Sequence, residues 1–93
     1  MPRSPRTTII VLSNVEDLIT RSQAKRLMQR VERFRTVVLD FAGVTSIGQA
    51  FADEVFRVFA NAHPDVELVP VHAVPQVQQM IRRAEVARDE GNA

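Results

Sequence analysis

The amino-acid sequence predicts an α/β domain with a small, mostly parallel sheet of about four strands and helices packed on it. Short β-branched runs that suit strands alternate along the chain with longer stretches whose apolar residues recur at helical spacing. One run near the middle has the continuous apolar character of a central parallel strand. Right-handed crossovers through the helices would then join the parallel strands.

The first half of the chain is predicted to contain two strands and one helix. Residues 1–6 are polar, contain two prolines and are expected to form a disordered lead-in to a domain over residues 7–88. Thr7 to Leu12 is predicted to be a strand, with a short second strand around Asp17 to Ile19. Thr20 and Gln23 have the spacing of a capping box at a helix start. The apolar stripe of that helix comprises Ala24, Leu27, Met28, Val31 and Phe34.

The second half is predicted to contain two further strands and two helices. Arg35 to Phe41 is expected to be a central strand that is buried on both faces. A helix from Gln49 to Ala62 should end before the His63–Pro64 pair, because a residue before proline is pushed out of the helical region. Val66 to Val71 is a strand, and Pro75 suits the start of a last helix. Residues 89–93 are expected to fray.

Composition excludes several classes of function. The 93 residues suit one domain, and the net charge of +1 argues against bulk attraction to nucleic acid or membrane. Because there is no cysteine, disulfides and thiolate metal sites are excluded. The sequence contains no apolar run of membrane-spanning length and no signal peptide, which indicates a bacterial-style cytoplasmic protein. It also contains no P-loop, dinucleotide fingerprint or zinc spacing, so we expect neither an enzyme nor a cofactor.

The turn between the central strand and the next helix is the most site-like part of the chain. Gly43 and Gly48 bracket it, and at about 100° per residue the helix that follows should bury Phe51 and Phe59. Asp53 and Arg57 fall on the opposite, exposed arc. Ala50 also faces solvent there, in a first turn that would favour a phosphate although alanine cannot carry one. The predicted buried arc comprises Phe51, Val55, Val58, Phe59 and Ala62, with Ala52 and Phe56 at its edges.

The segment "VVLDFAGVTSIGQAF", residues 37–51, resembles the strand–turn–helix signature of STAS domains, the fold of anti-sigma-factor antagonists. In those proteins an Asp-Ser-Ser-Gly tetrad leads into the helix, and a partner kinase phosphorylates its second serine. The tetrad falls on Gly48, Gln49, Ala50 and Phe51, so every position differs and Ala50 replaces the phosphorylated serine. The segments "SIGQAFADEVFRVF" and "RSQAKRL" are more similar to a second group, the bacterial STAS-like domains of unknown function. This similarity extends over roughly residues 8 to 84.

This resemblance implies a regulatory module that docks with a partner protein, such as a histidine-kinase-like ATPase, without the usual serine phospho-switch. The residues proposed for partner binding are Ser46, Gln49, Ala50, Asp53, Phe56 and Arg57. Phe56 is included because an aromatic at the edge of the apolar arc suits a protein contact. Thr45 and Ser46 are candidates for a relocated phosphorylation site.

Other interpretations of the same residues stay open. The turn can be purely structural, with glycines that supply backbone freedom and Gln49 as the helix cap. Asp40 at the strand end is expected to tie down the loop rather than catalyse, and His63 and His72 are expected to be loop or surface histidines.

The basic first helix, Arg21 to Arg35, is the main competing feature. Its basic face, with Arg26, Arg30 and Arg33, could meet the phosphates of a nucleic acid, but no base-reading element accompanies it. An acidic partner protein, or the acidic C-terminal end of a second copy in a homodimer, explains the same charge.

Overall fold

Three parallel strands lie in the order β1–β2–β3 in the computed structural model, which describes residues 4–14 and 18–91. They are β1 (Ser4–Val11), β2 (Phe34–Asp40) and β3 (Glu67–Val71). Ile9 pairs with Val38, and Val38 pairs with Val69, so β2 is the central strand. The predicted α/β class, with a parallel sheet and β2 at its centre, is confirmed.

The sequence predicted about four strands, whereas the described residues form three. Of the proposed strand Asp17 to Ile19, Asp17 lies outside the described residues, and Leu18 and Ile19 are not in a strand. The Leu18 carbonyl accepts a hydrogen bond of 2.7 Å from the N–H of Gly48. This backbone group therefore bonds to a turn and not to a neighbouring strand.

The first helix, α1 (Arg21–Gln29), starts as predicted and ends sooner. The Thr20 hydroxyl accepts from the Gln23 N–H at 3.2 Å, and the Gln23 amide oxygen accepts from the Thr20 N–H at 2.9 Å, so the capping box is present. Residues 30–33 form a turn, because Arg30 caps the helix and the Phe34 N–H bonds to the Val31 carbonyl at 3.0 Å. Phe34 therefore belongs to β2 and not to the helix.

The helix after the turn is α-helical at both ends and π-helical in the middle. Gln49–Asp53 and Ala60–Ala62 are α-helical and Glu54–Phe59 is π-helical; together they are called α2. A π-helix has i→i+5 hydrogen bonds, so side chains rotate away from the positions that 100° per residue assigns. Glu54 (5% exposed) is buried, and Phe56 (2%), predicted at the edge of the buried arc, is in the core, whereas Ala62, predicted to be buried, is exposed.

The last helix, α3 (Pro75–Gly91), starts at the predicted proline and buries Val77, Ile81 and Ala84. The side-chain amide of Gln78 stabilises its first turn by donating a hydrogen bond of 2.8 Å to the Ala73 carbonyl. The helix extends past residue 88 to Gly91, and at the other end of the chain β1 begins at Ser4, before the predicted Thr7. Within the described residues, no helix is long and apolar enough to cross a membrane.

The helices cover one face of the sheet. Val37 and Leu39 of β2 are buried in the core with helix residues such as Met28, Phe51 and Val77. The alternate residues of β2 are only partly buried, because successive side chains point to opposite faces. Burial of β2 on both faces, which the sequence predicted, is therefore wrong. On the other face, Ile9 is 64% exposed and Val11 is 44% exposed.

Candidate functional site

The carboxylate of Asp40, the last residue of β2, makes contacts with two loops. One of its oxygens accepts from the Ala42 N–H at 3.0 Å and lies 3.0 Å from the His72 ring nitrogen Nδ1. The Ala42 N–H, with a further contribution from His72, holds the pKa of Asp40 below its ordinary value. Asp40 thus joins the loop after β2 to the loop after β3, where His72 has a positive φ of 58°. This contact matches the expected tie between strand end and loop.

The other histidine, His63, lies in the loop that follows α2, as expected. Its ring centroid is 4.5 Å from that of Phe59, and its Nε2 atom is 3.8 Å from a Glu32 carboxylate oxygen. These contacts place His63 against the end of α2, far along the helix from the turn at its start. Neither histidine belongs to a group of three potential metal ligands, and the described residues contain no such group.

Gly48 holds the turn against the chain that leads into α1. Its N–H donates to the Leu18 carbonyl, and a β-carbon at this position would lie 2.7 Å from the Ile19 carbonyl oxygen and 2.8 Å from the Ile19 Cα. Backbone atoms this close leave no room for a side chain. The starts of α1 and α2 are therefore fixed side by side. Gly48 is also the N-cap of α2, without a side-chain cap, so the predicted capping role of Gln49 is wrong.

The turn presents polar side chains to solvent above this fixed backbone. Val44 and Ile47 are buried, whereas Thr45, Ser46 and Gln49 are exposed and Ala50 is half-buried. We call the set Thr45, Ser46, Gln49 and Ala50 the turn surface. It retains three of the predicted partner-binding residues and both predicted phosphorylation candidates.

A charged cluster borders the turn surface and joins α1 to α2. Arg57 donates to both carboxylate oxygens of Asp53, one of them at 2.7 Å, and Arg21 donates to Asp53 at 2.7 Å. These hydrogen bonds, mainly those from Arg57, lower the pKa of Asp53 to about 2. Arg21 also lies 3.5 Å from a carboxylate oxygen of the buried Glu54.

The cluster changes the interpretation of two predicted site residues. Asp53 and Arg57 were expected to lie on an exposed arc, but the Asp53 side chain is only 19% exposed, and Asp53 and Arg57 are paired with each other. The i,i+4 spacing of Asp53 and Arg57 is a signal for their pair in the sequence. The contribution of Arg21, 32 residues away, has no such signal.

Phe56 is not available to a partner, which corrects its place among the predicted binding residues. Its side chain is in the core, with 2% exposure, so the edge of the apolar arc is covered and not accessible. The remaining surface is mainly polar and charged, so a partner would meet hydroxyl, amide and guanidinium groups here, with Ile19 as an exposed apolar neighbour.

A groove of about 310 Å³ runs beside the turn surface, at the carboxyl ends of β1 and β2. In open α/β sheets this end of the strands is the usual place for ligands. Its described lining offers hydroxyl and apolar groups and no titratable side chain; it consists of Leu12, Ser13, Leu18, Ile19, Gly43, Val44, Thr45 and Ser46.

The basic residues of the first helix do not form the continuous face that the sequence indicated. Arg26 and Arg30 are exposed on α1 and at its C-cap, but Arg33 lies in the following turn and Arg35 in β2. Arg21 is engaged by Asp53 and Glu54. The three residues predicted for the basic face, Arg26, Arg30 and Arg33, are all exposed, and Lys25 is exposed on α1 as well.

The parallel sheet with its helices and the strand–turn–helix junction at Gly48 define a STAS-like α/β domain. Residues 23–78 match the family described as "STAS-like domain of unknown function (DUF4325)", and the chain belongs to that family. The match covers the turn surface and most of the residues of the charged cluster, apart from Arg21. Comparison with curated proteins and with solved structures gave no match.

Proposed function

We propose that this STAS-like domain is a non-enzymatic regulatory module that docks a partner protein on its turn surface. The observation that supports this most directly is that the turn combines a fixed backbone with exposed polar side chains. Its backbone is fixed by the close approach of Gly48 to Ile19, while Thr45, Ser46 and Gln49 point to solvent. Polar side chains on a rigid framework suit recognition, because little conformational freedom is lost on binding.

The surroundings of the turn offer little for catalysis. Thr45 and Ser46 make no hydrogen bond with any described side chain, so neither hydroxyl has a positioned base to activate it. The carboxylates at the end of β2 and in the first part of α2 are engaged, Asp40 with Ala42 and His72 and Asp53 with two arginines. Both carboxylates have lowered pKa values, the opposite of what a general acid needs at neutral pH.

The resemblance to anti-sigma-factor antagonists suggests the class of partner, a histidine-kinase-like ATPase. Position 50, where those proteins carry the phosphorylated serine, is alanine in this chain. Docking here would therefore be controlled by concentration or by the partner's nucleotide state and not by a phosphate at this position. A cytoplasmic location follows from the same proposal.

Nucleic acid is the weaker candidate. Arg21 is engaged in the charged cluster, and Arg33 and Arg35 lie off the helix, so few basic groups share one face. Phosphate contacts dominate nucleic-acid affinity, and each missing contact reduces it.

Calorimetric titration of the purified chain with histidine-kinase-type ATPase domains from the same genome tests the proposal. Gln49→Arg adds a bulky charge to the turn surface, and Gln76→Arg makes the same change on the exposed side of α3. We expect Gln49→Arg to weaken binding at least about tenfold, equivalent to about 1.4 kcal/mol, and Gln76→Arg to have little effect. Equal affinity of both folded variants would place the interface elsewhere, and binding to none of the ATPases would remove that partner class.

A further inference from the structure

From Thr7 to Val11, the outer edge of β1 lacks the features that usually protect an edge strand. Within the described residues β1 pairs only with β2, so its other edge has unpaired backbone groups. The opposite edge strand, β3, carries Pro70, which has no N–H to offer. The first part of β1 contains Pro5 and a register irregularity between Ser4 and Thr7. From Thr7 to Val11 it contains neither proline nor charge, and such an edge is a template for another strand.

A groove of about 460 Å³ lies along this edge, between β1 and α1. Ile10, Leu27 and Phe34 form part of its lining, and each is packed against the core while only partly buried. The β1 side adds Ile9 and Val11, which are exposed on the outer face of the sheet. An added strand would therefore present one set of alternate side chains to the α1 side, where Arg30 lies, and the other set to Ile9 and Val11.

The border of this groove is basic. Arg30 lines it, and Arg26, four residues earlier, is on the same side of α1. Neither of these two exposed arginines makes an ion pair or side-chain hydrogen bond with the part of the chain that the structure describes. Acidic side chains on a bound segment would supply partners for these guanidinium groups.

We propose that the groove between β1 and α1, which we call the β1 groove, binds an extended segment of a partner protein whose apolar and acidic residues alternate. The segment adds a strand to β1 through backbone hydrogen bonds, a known mode of peptide recognition. Its apolar side chains contact Ile9 and Val11 on the outer face of the sheet. Its carboxylates point to the α1 side, where they pair with Arg30 and Arg26. This surface is on different elements from the turn surface, so the inference stands independently of the proposed function.

A second copy of this chain fits the β1 groove less well. An isologous dimer would pair the two β1 edges in antiparallel fashion about a two-fold axis perpendicular to the sheet. Both α1 helices would then lie on the same face beside the seam. Arg26 and Arg30 of each copy would approach those of the other, and like charges oppose association.

The test uses a fluorescein-labelled peptide with four Glu-Val repeats, and a Lys-Val peptide as its charge control. We expect the acidic peptide to bind the full chain with a dissociation constant below about 1 mM, and the Lys-Val peptide to bind at least about tenfold more weakly. Arg30→Glu should weaken acidic-peptide binding at least about tenfold. Arg83→Glu, the same change on an exposed arginine of α3, should alter it by no more than about twofold.

Amide hydrogen exchange distinguishes an added strand from a contact of charges alone. Strand addition should slow exchange at amides of Thr7 to Val11 that face the free edge. The inference is overturned if the acidic peptide does not bind, if Arg30→Glu binds it as the wild type does, or if the β1 amides are unchanged at saturation. A dimer in sedimentation that Ile9→Lys abolishes would also overturn it, by showing that a second copy occupies the edge.

Discussion

Substitution of Gly48 by alanine tests whether the turn is held against the start of α1 in solution. The added β-carbon would lie 2.7 Å from the Ile19 carbonyl oxygen and 2.8 Å from the Ile19 Cα. Both atoms belong to the backbone, so no side-chain rotation relieves the contact. Either the turn or residues 18–20 must move, and both are connected to a helix start.

The expected cost of Gly48→Ala is about 1–3 kcal/mol, the range for an added methyl group in a well-packed position. Backbone conformation adds little, because Gly48 has φ of −76° and ψ of 152°, which alanine adopts without strain. The reduced entropy of the unfolded chain offsets about 0.4–1 kcal/mol, and loss of a glycine N-cap acts in the opposite direction. For a domain of this size, we therefore expect the melting temperature to fall by roughly 5–20 °C.

Position 43 provides the matched control, because its backbone conformation, and not a close contact, favours glycine there. Its φ is +81°, a region that asparagine tolerates, and its nearest neighbour to an added β-carbon is 3.7 Å away. Gly43→Asn should cost less than about 1 kcal/mol, whereas Gly48→Asn should be at least as damaging as Gly48→Ala. Calorimetry and urea denaturation measure both. A Gly48→Ala variant as stable as the wild type would refute the close approach, and with it the fixed arrangement of the helix starts.

Three other predictions concern α2 and the turn that precedes it. Phe51→Ala should lower the free energy of unfolding by about 3–5 kcal/mol or prevent folding, as judged by circular dichroism, because Phe51 is buried in the core. Asp53→Asn should destabilise the domain by up to about 2 kcal/mol at neutral pH. Because the pKa of Asp53 is depressed to about 2, that stabilisation is present above about pH 4 and disappears as pH falls through 2; a pH-independent difference between variant and wild type in urea melts would contradict this. Incubation with a kinase-type ATPase and ATP should leave the intact mass unchanged, whereas an added phosphate mapped to Thr45 or Ser46 would show a relocated switch.

The predicted effect of changing Asp53 depends on tertiary contacts that the sequence did not reveal. On a helical wheel Asp53 and Arg57 are surface residues, for which a charge reversal should cost only about half a kcal/mol. In the structure Asp53 accepts hydrogen bonds from Arg57 and Arg21, so Asp53→Arg would place three arginines together. We therefore expect Asp53→Arg to destabilise the domain by more than Asp53→Asn does.

The sequence alone determined the elements whose signals are local. The capping box at Thr20 and Gln23, the β-branched β2, the end of α2 before His63 and the start of α3 at Pro75 each depend on residues a few positions apart. The family was also predicted from a local signal, the amino-acid sequence of residues 37 to 59. Such patterns act through backbone conformation and periodicity, which need no knowledge of distant residues.

Tertiary structure decided the features that join distant parts of the chain. Whether β2 is covered on one face or two depends on where three helices pack, which periodicity in β2 does not encode. In the π-helical part of α2, Phe56 lies in the core together with Glu54, so the helical wheel, which placed Phe56 at the edge of the buried arc, did not show that a partner cannot reach it. The need for glycine at position 48 comes from the Ile19 backbone, and the low pKa of Asp53 comes partly from Arg21. In the last two cases the determining atoms are close in space and about 30 residues apart in sequence, so only the folded chain brings them together.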